Sequence, residues 1–171
     1  MSFEYYFQDV DTVYFAPTHP YTFTQLTQYF DSIIENPNLS KIVSIKPVTE
    51  TIGKNPVSIV TVSSGEQQIA ESKVIWVIGR QHPGETTSNF FIEGMINYLI
   101  TLYSNYTITD DKTGLHNYIF KIVPMINIDG VIHGNSRGEL TGVDPNRMWK
   151  KPLRRLCPAI SSIKKHILKS K

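Results

Sequence analysis

The chain has 171 residues, of which 40% are hydrophobic and 19% charged, with a formal net charge of +2. This composition is typical of one globular domain and excludes a disordered or low-complexity chain. A single cysteine, Cys157, excludes an intrachain disulfide and favours a reducing compartment. No apolar run approaches the roughly 20 residues of a membrane helix, and the start lacks the pattern of a secretory signal. We expect a cytoplasmic protein that binds neither membranes nor nucleic acid.

The first half of the chain predicts strands around one helix. A short strand is predicted from Val10 to Phe15, because the segment is rich in β-branched and aromatic residues. A helix from about Thr22 to Glu35 follows, where apolar residues recur at helical spacing and a threonine can cap the start. Two strands, Ile42 to Val48 and Val57 to Val62, are separated by the turn-rich connector 53–56.

The middle of the chain predicts a strand, a helix and a second buried strand. The strand runs from Lys73 to Gly79, and the second strand from Tyr118 to Val123 follows a polar loop at 109–114. The intervening helix begins after Glu85 and carries a broad apolar stripe that we assign to the core, made of Phe90, Phe91, Met95, Tyr98, Leu99 and Leu102.

The last part predicts a long loop and a terminal helix. Residues 127–149 are dense in Gly, Asp, Asn and Pro and lack a helical or alternating period, which is typical of a functional loop. A helix from Pro158 to Leu168 should bury Ile160, Ile163 and Ile167. The order of elements predicts an α/β fold with a mixed, largely parallel sheet flanked by helices. The 82–85 segment and the long loop should then meet at the carboxyl edge of the sheet.

His82-Pro83-Gly84-Glu85 follows the central strand and offers an imidazole and a carboxylate three residues apart. Zinc binds both groups, and catalytic zinc sites use three protein ligands and a water. The simpler alternative is a strand-ending turn followed by an acid at a helix N-terminus. Taken alone, this motif does not decide between the two interpretations.

The long loop carries two arginines with a possible chemical role. Arg147, beside Asn146, could bind a free carboxylate through parallel charge-assisted hydrogen bonds. Arg137 could stabilise the oxyanion of a tetrahedral intermediate near a metal-bound carbonyl. The alternatives are an ordinary turn at Asp144-Pro145-Asn146 and a surface arginine at position 137.

Together these motifs resemble the zinc carboxypeptidases. The resemblance rests on His82-x-x-Glu85, on Asn127-Ile128-Asp129-Gly130-Val131, on Arg137 and on Gly142-Val143-Asp144-Pro145-Asn146-Arg147-x-Trp149. The segment 79–86, Gly-Arg-x-His-Pro-Gly-Glu-Thr, is similar to the cytosolic carboxypeptidase branch, which includes enzymes that trim glutamate from tubulin and other proteins. Residues 15–23 resemble the junction between that branch's β-rich N-terminal domain and its catalytic domain.

The resemblance implies a role for each matching residue. His82 and Glu85 would be ligands of one zinc ion, and Arg137 would polarise the scissile carbonyl. Two further residues, Asn146 and Arg147, would hold the terminal carboxylate of a peptide or protein tail, with acidic tubulin tails among the implied substrates. An acid at the position of Asp144 would hydrogen-bond the ligating histidine and orient its ring.

The resemblance also implies that the chain is incomplete. Residues 1–18 would end an accessory β-rich domain, and 19–171 would be the N-terminal part of the catalytic domain. The family's third zinc ligand and its glutamate general base would follow the last helix, beyond this chain. The remaining histidines, His19, His116, His133 and His166, are not expected to replace that ligand. His133 would be the best substitute among them, because its loop approaches the site, but zinc requires closely defined ligand distances.

Three functional hypotheses therefore stay open. The first is a zinc metallocarboxypeptidase in the cytoplasm, with cytoskeletal association as an implied option. The second is a non-catalytic fragment that at most binds peptide tails, and the third is a zinc amidohydrolase of N-acyl amino acids. Asp144 is the last acid, so the basic end of the chain could attract an acidic partner or could simply be a solvated helix face.

Overall fold

The computed structural model describes residues 2–10, 12–64, 72–105 and 114–170. Within these ranges four strands form one sheet: β1 (Val43–Glu50), β2 (Pro56–Val62), β3 (Lys73–Ile78) and β4 (Tyr118–Val123). The helices are α1 (Phe23–Ile34), α2 (Thr87–Ser104), α3 (Ile128–Ile132) and α4 (Pro158–Lys169). Among the described residues, no helix is both long enough and apolar enough to cross a membrane.

The sheet is mixed, with strand order β1-β2-β4-β3. The α/β class is confirmed, but the expectation of a largely parallel sheet needs correction. Among the described strands, only β3 and β4 pair in parallel, while β1–β2 and β2–β4 are antiparallel. The β1–β2 connector is a tight turn, which joins antiparallel neighbours, whereas α2 provides the long crossover that a parallel pair requires.

The strands alternate their side chains between two hydrophobic clusters. Val57 and Ile59 of β2 belong to a cluster that includes residues of α1 and α4, such as Ile160. Val60 of the same strand belongs to the other cluster, with Ile96 of α2. Because successive strand residues point to opposite faces, the sheet is covered by helices on both sides.

Helix α1 begins as its sequence predicts. The Thr22 hydroxyl accepts a hydrogen bond from the Gln25 amide, and the Gln25 side chain accepts one from the Thr22 amide. This reciprocal pair satisfies two backbone donors at the helix start. The predicted terminal helix is also confirmed as α4, in which Ile160 and Ile163 are fully buried.

The predicted core stripe of α2 is partly wrong. The buried face consists of Asn89, Ile92, Ile96, Leu99 and Tyr103. Three residues assigned to the stripe, Phe90, Phe91 and Tyr98, are exposed. With about 3.6 residues per turn, positions 90, 91 and 98 point away from the helix face formed by positions 92, 96 and 99. The buried stripe is therefore narrower than the sequence predicted.

Two further predictions need correction. The strand predicted from Val10 to Phe15 is not formed at residues 12–15, which have no regular structure and pair with no described strand, while residue 11 lies outside the described residues. An unpaired strand is not stable, because its backbone groups lack partners.

The loop 127–149, called the site loop below, contains α3 and a 3₁₀ turn at Pro145–Arg147. The predicted polar loop at 109–114 lies outside the described residues, apart from Gly114.

Candidate metal and carboxylate site

The parallel strands β3 and β4 deliver two chain segments to the same edge of the sheet. The Gly79 amide donates to the Val123 carbonyl, and the Ile126 amide donates to the Gly79 carbonyl. The segment after β3 forms the 82–85 turn, in which the Glu85 amide donates to the His82 carbonyl. The segment after β4 leads into the site loop. The predicted meeting of the two segments is confirmed.

Hydrogen bonds attach the site loop to the 82–85 turn. The Asn127 side chain caps α3 by accepting from the Gly130 amide, and its Nδ2 donates to the Gln81 and Gly138 carbonyls. The Gly84 amide donates to the Ser136 carbonyl at 2.8 Å. A Cβ at Gly84 would lie 2.9 Å from that carbonyl oxygen, so only glycine allows this approach.

His82 lies between two carboxylates. Its ring is buried, with Nδ1 2.9 Å from Glu85 Oε1 and Nε2 3.1 Å from Asp144 Oδ1. A neutral imidazole that donates from Nε2 to Asp144 keeps the lone pair of Nδ1 on the side of Glu85. This orientation is the one required of a metal-ligating histidine with an acid behind it.

Asp144 links His82 to Arg137 and to the start of the 3₁₀ turn. Arg137 Nε donates to Asp144 Oδ2 at 2.8 Å, and the Asn146 amide donates to Oδ1 at 2.8 Å. Desolvation works to raise the pKa of Asp144, but the hydrogen bonds from Arg137, Asn146 and His82 outweigh it and lower the pKa to about 2. Asp144 therefore stays ionised at neutral pH and fixes both side chains.

Asn146 and Arg147 are exposed at the same turn. Neither side chain makes a hydrogen bond or an ion pair with another described residue. A carboxamide and a guanidinium on adjacent residues therefore have donors available for an anionic ligand. Arg137 uses only Nε in its bond to Asp144, so its two terminal amino groups are also available.

The two candidate ligand atoms at the 82–85 turn, His82 Nδ1 and Glu85 Oε1, fit zinc in type and approximate spacing. Nδ1 and Oε1 are 2.9 Å apart. Ligand bonds of about 2.0–2.2 Å in a tetrahedral site hold two ligand atoms roughly 3.3–3.6 Å apart, so the two side chains would have to separate by about 0.5 Å. Within the described residues, no group of three or more His, Cys, Asp or Glu side chains could hold a metal. His133 is exposed at the end of α3 and joins no such group.

Asp129 was matched to the family motif in the sequence, but its contacts were not predicted. Its buried carboxylate accepts hydrogen bonds from Thr51 Oγ1, the Gly53 amide and Asn55 Nδ2 at 2.6, 2.8 and 2.9 Å. The β1–β2 turn is thereby fixed to α3, which is part of the site loop. No local pattern reveals a contact between residues this far apart in the chain.

Glu139 was also missed. It is buried, and its Oε1 is the one fully enclosed side-chain nitrogen or oxygen atom without a hydrogen-bond partner among the described residues. Burial, with a smaller contribution from Asp129, raises the pKa of Glu139 to about 7. Burial and the nearby Glu139 raise the pKa of the Cys157 thiol to about 12, so this cysteine is not a reactive thiolate.

Arg80 is a third residue without a predicted role. It is only 4% exposed and takes a positive φ of 48°. Its Nε donates to the Pro83 carbonyl at 2.7 Å, and its Nη1 donates to the Tyr21 carbonyl and to Asn89 Oδ1. The side chain therefore connects the 82–85 turn with α2 and the segment before α1.

Comparison with known proteins identifies the family. Residues 26–162 match the zinc carboxypeptidase (peptidase M14) family. Cytosolic carboxypeptidase 3 of Bos taurus is 36% identical over 88% of this chain, and cytosolic carboxypeptidase 6 of Mus musculus is 34% identical over 99%. The chain spans 15% and 31% of the length of these two relatives.

Solved structures agree with this assignment. A metallo-carboxypeptidase from Burkholderia cenocepacia is similar with a TM-score of 0.73 and 27% identity, covering 89% of this chain and 39% of that chain. A putative carboxypeptidase A from Shewanella denitrificans gives a TM-score of 0.74 and 26% identity, covering 88% and 37%. The sequence match over most of the chain and the shared fold together show that the chain belongs to the zinc carboxypeptidase family.

Proposed function

We propose that this chain supplies the zinc-binding and carboxylate-binding edge of a metallocarboxypeptidase that removes C-terminal residues from peptides or proteins. The observation that carries the proposal is the Asp144 carboxylate, which contacts both His82 and Arg137. Through Asp144, a metal ligand candidate and a carbonyl-polarising candidate are held in one hydrogen-bonded unit. Family membership supports zinc as the metal.

Each residue has a distinct task in this proposal. His82 and Glu85 hold the zinc ion, which when bound supplies a Lewis acid and an activated water. Asp144 keeps the His82 ring oriented, and it holds Arg137 so that the free amino groups can bind the scissile carbonyl oxygen. Arg147 and Asn146 bind the terminal carboxylate, which restricts cleavage to the last residue of a chain.

The proposed substrates are acidic protein tails in the cytoplasm, such as tubulin tails ending in glutamate. The support is the name of the relatives, cytosolic carboxypeptidases, and the absence of acids after Asp144, which leaves this end of the chain basic. Electrostatic attraction would raise the rate of encounter with acidic tails. We further propose that residues 1–18 belong to an accessory domain and 19–171 to the catalytic domain.

The test uses two peptides that differ only in a free or an amidated C-terminus. The chain, with zinc added, should bind the free acid about tenfold or more tightly, because a charge-assisted pair is lost in the amide. Arg147→Met should remove this preference, while Arg155→Met, a matched exposed arginine outside the Asn146–Arg147 turn, should keep it. Equal binding of both peptides by the unmodified chain would contradict the proposal. Mass spectrometry of the free peptide measures release of its last residue.

A second candidate is a domain that binds C-terminal tails without cleaving them. The observation that favours it is the lack of a third ligand in a metal cluster among the described residues. Preference for the free carboxylate without release of a residue would support this candidate. The comparisons favour either carboxypeptidase-like function over the amidohydrolase, because the named relatives are carboxypeptidases.

A further inference from the structure

The 3₁₀ turn Pro145–Arg147 is held on both of its sides. On its N-terminal side, the Asp144 carboxylate contacts His82 Nε2 at 3.1 Å. On its C-terminal side, Trp149 Nε1 donates a hydrogen bond to Gln81 Oε1 at 2.6 Å. The two flanks of one turn are thereby attached to two consecutive residues of the segment that follows β3.

The contact between Gln81 and Trp149 joins two segments that have further support. The Gln81 carbonyl accepts a hydrogen bond from Asn127 Nδ2, which holds the backbone from which the Gln81 side chain extends. The Trp149 side chain packs against the hydrophobic cluster that includes residues of α1 and α4. The indole nitrogen is its one polar side-chain group and acts only as a donor, so Gln81 satisfies it.

Lys164 of α4 holds the same tryptophan by its backbone. Its Nζ donates to the Trp149 carbonyl at 2.8 Å and to the Lys150 carbonyl at 2.9 Å. Hydrogen bonds from an ammonium group are charge-assisted, and they are stronger than bonds between neutral groups. The chain that leaves the 3₁₀ turn is therefore attached to α4 as well as to Gln81.

The position of this turn matters because its recognition groups do not hold themselves. The side chains of Asn146 and Arg147 make no hydrogen bond or ion pair with another described residue. The location of their donors relative to His82 therefore depends on the backbone of the turn, which is fixed at its flanks. A turn that is already fixed loses less conformational freedom when it binds a carboxylate.

We infer that Gln81 and Lys164 are positioning residues for recognition of the terminal carboxylate, and that both act through Trp149. This inference rests on the proposed function, in which Asn146 and Arg147 bind that carboxylate, and it adds two residues that act without contacting it. Gln81 fixes the tryptophan side chain against the segment after β3, and Lys164 fixes its backbone. Loss of either contact should weaken selection of a free C-terminus while the metal ligands stay in place.

The experiment measures fluorescence anisotropy of the chain, with zinc added, and two labelled peptides that differ only in a free or an amidated C-terminus. The unmodified chain should prefer the free acid about tenfold. Gln81→Leu should lower this preference to about twofold, because one net hydrogen bond corresponds to about fivefold in affinity. Gln81→Glu keeps an acceptor oxygen on a side chain of the same length and should restore the preference. A Gln81→Leu variant with the full preference would overturn the role of Gln81.

Lys164→Met and Lys165→Met form a matched pair of variants on α4. Both remove one positive charge from the same helix, but Lys165 is exposed, whereas Lys164 is half-buried against the backbone after the turn. Lys164→Met should lower the preference for the free acid to about twofold, and Lys165→Met should keep it. Equal preferences in the two variants would overturn the role of Lys164.

Zinc affinity separates positioning from a general loss of structure. Calorimetric titration with zinc should give the same affinity for Gln81→Leu as for the unmodified chain, because His82 and Glu85 are unchanged. Weaker zinc binding with an unchanged peptide preference would assign Gln81 to support of the metal ligands and overturn the inference. Circular dichroism shows whether each variant folds, and Lys164→Met tests the same inference if Gln81→Leu does not.

The outcomes also separate this inference from the proposed function. If the unmodified chain, Gln81→Leu and Lys164→Met all prefer the free acid equally, the positioning role is wrong and the proposed function stands. If the unmodified chain binds both peptides equally, the proposed function fails, and the positioning of its carboxylate site fails with it. A preference that falls in both variants and returns in Gln81→Glu supports the inference.

Discussion

Among individual residues, Glu139 gives the clearest prediction about how stability depends on pH. Its carboxyl is buried without a partner for Oε1, and burial raises its pKa to about 7 from an ordinary 4.5. Below pH 4.5 the carboxyl is neutral in both folded and unfolded chains. Between these values the folded chain holds a proton that the unfolded chain releases, so stability falls as the pH rises towards 7.

Replacing Glu139 with glutamine should remove this loss of folding stability at higher pH. At pH 8 the free energy of unfolding should increase by about 3 kcal/mol, since each pKa unit corresponds to about 1.4 kcal/mol. At pH 4.5 the variant and the original chain should be nearly equal. Urea unfolding with zinc removed measures both values.

Glu35→Gln is the matched control, because Glu35 is an exposed acid on the C-terminal side of α1. It should leave the pH dependence unchanged. A Glu139→Gln variant that keeps the original fall in stability between pH 5 and 8 would show that Glu139 is not the titrating group.

At the scale of elements, Asp129 connects the β1–β2 turn to α3. Asp129→Ala would leave the donors of Thr51, Gly53 and Asn55 without their acceptor in a buried position. The free energy of unfolding should fall by about 3 kcal/mol or more, which is the usual cost of buried polar groups that lose their partners. The midpoint and slope of urea unfolding measure the change.

The exposed Asp31 of α1 provides the comparison. Its side chain makes no hydrogen bond with a described residue, so Asp31→Ala should alter stability by no more than about 0.5 kcal/mol. Equal effects of the two substitutions would mean that the Asp129 contacts do not hold the turn against α3.

Elements with a strong local signal were predictable from the sequence. Helix α1 has a cap and a regular apolar period, and β4 is a short apolar run ended by Pro124. The exposed aromatic residues of α2 were not, because apolar side chains on either flank of a helix fit the same sequence pattern. The Val10 to Phe15 prediction failed because strand formation depends on a partner, which local composition does not supply.

The site was predictable in position but not in detail. The order of His82, Glu85 and the long loop indicated one sheet edge, and the parallel pairing of β3 and β4 confirms that edge. The unpaired carboxyl of Glu139 and the hydrogen bond from Arg80 to Tyr21 depend on packing between distant segments. Sequence patterns describe neighbours along the chain, so they do not report such contacts.

At the scale of the whole molecule, the fold brings the 82–85 turn and the site loop together at one edge of the sheet, so that the two proposed metal ligands and the proposed carboxylate-binding residues share that edge. Asn146 and Arg147 have free side-chain donors on the site loop. In the proposed function, these donors bind the terminal carboxylate of the substrate. The proposed chemistry depends on the metal.

The most direct measurement is anomalous diffraction at the zinc edge from crystals of the chain soaked in millimolar zinc. We expect a peak about 2.0–2.2 Å from His82 Nδ1 and from a carboxylate oxygen of Glu85, and no such peak for His82→Ala. Zinc found only at other positions, or a peak that persists in His82→Ala, would contradict it.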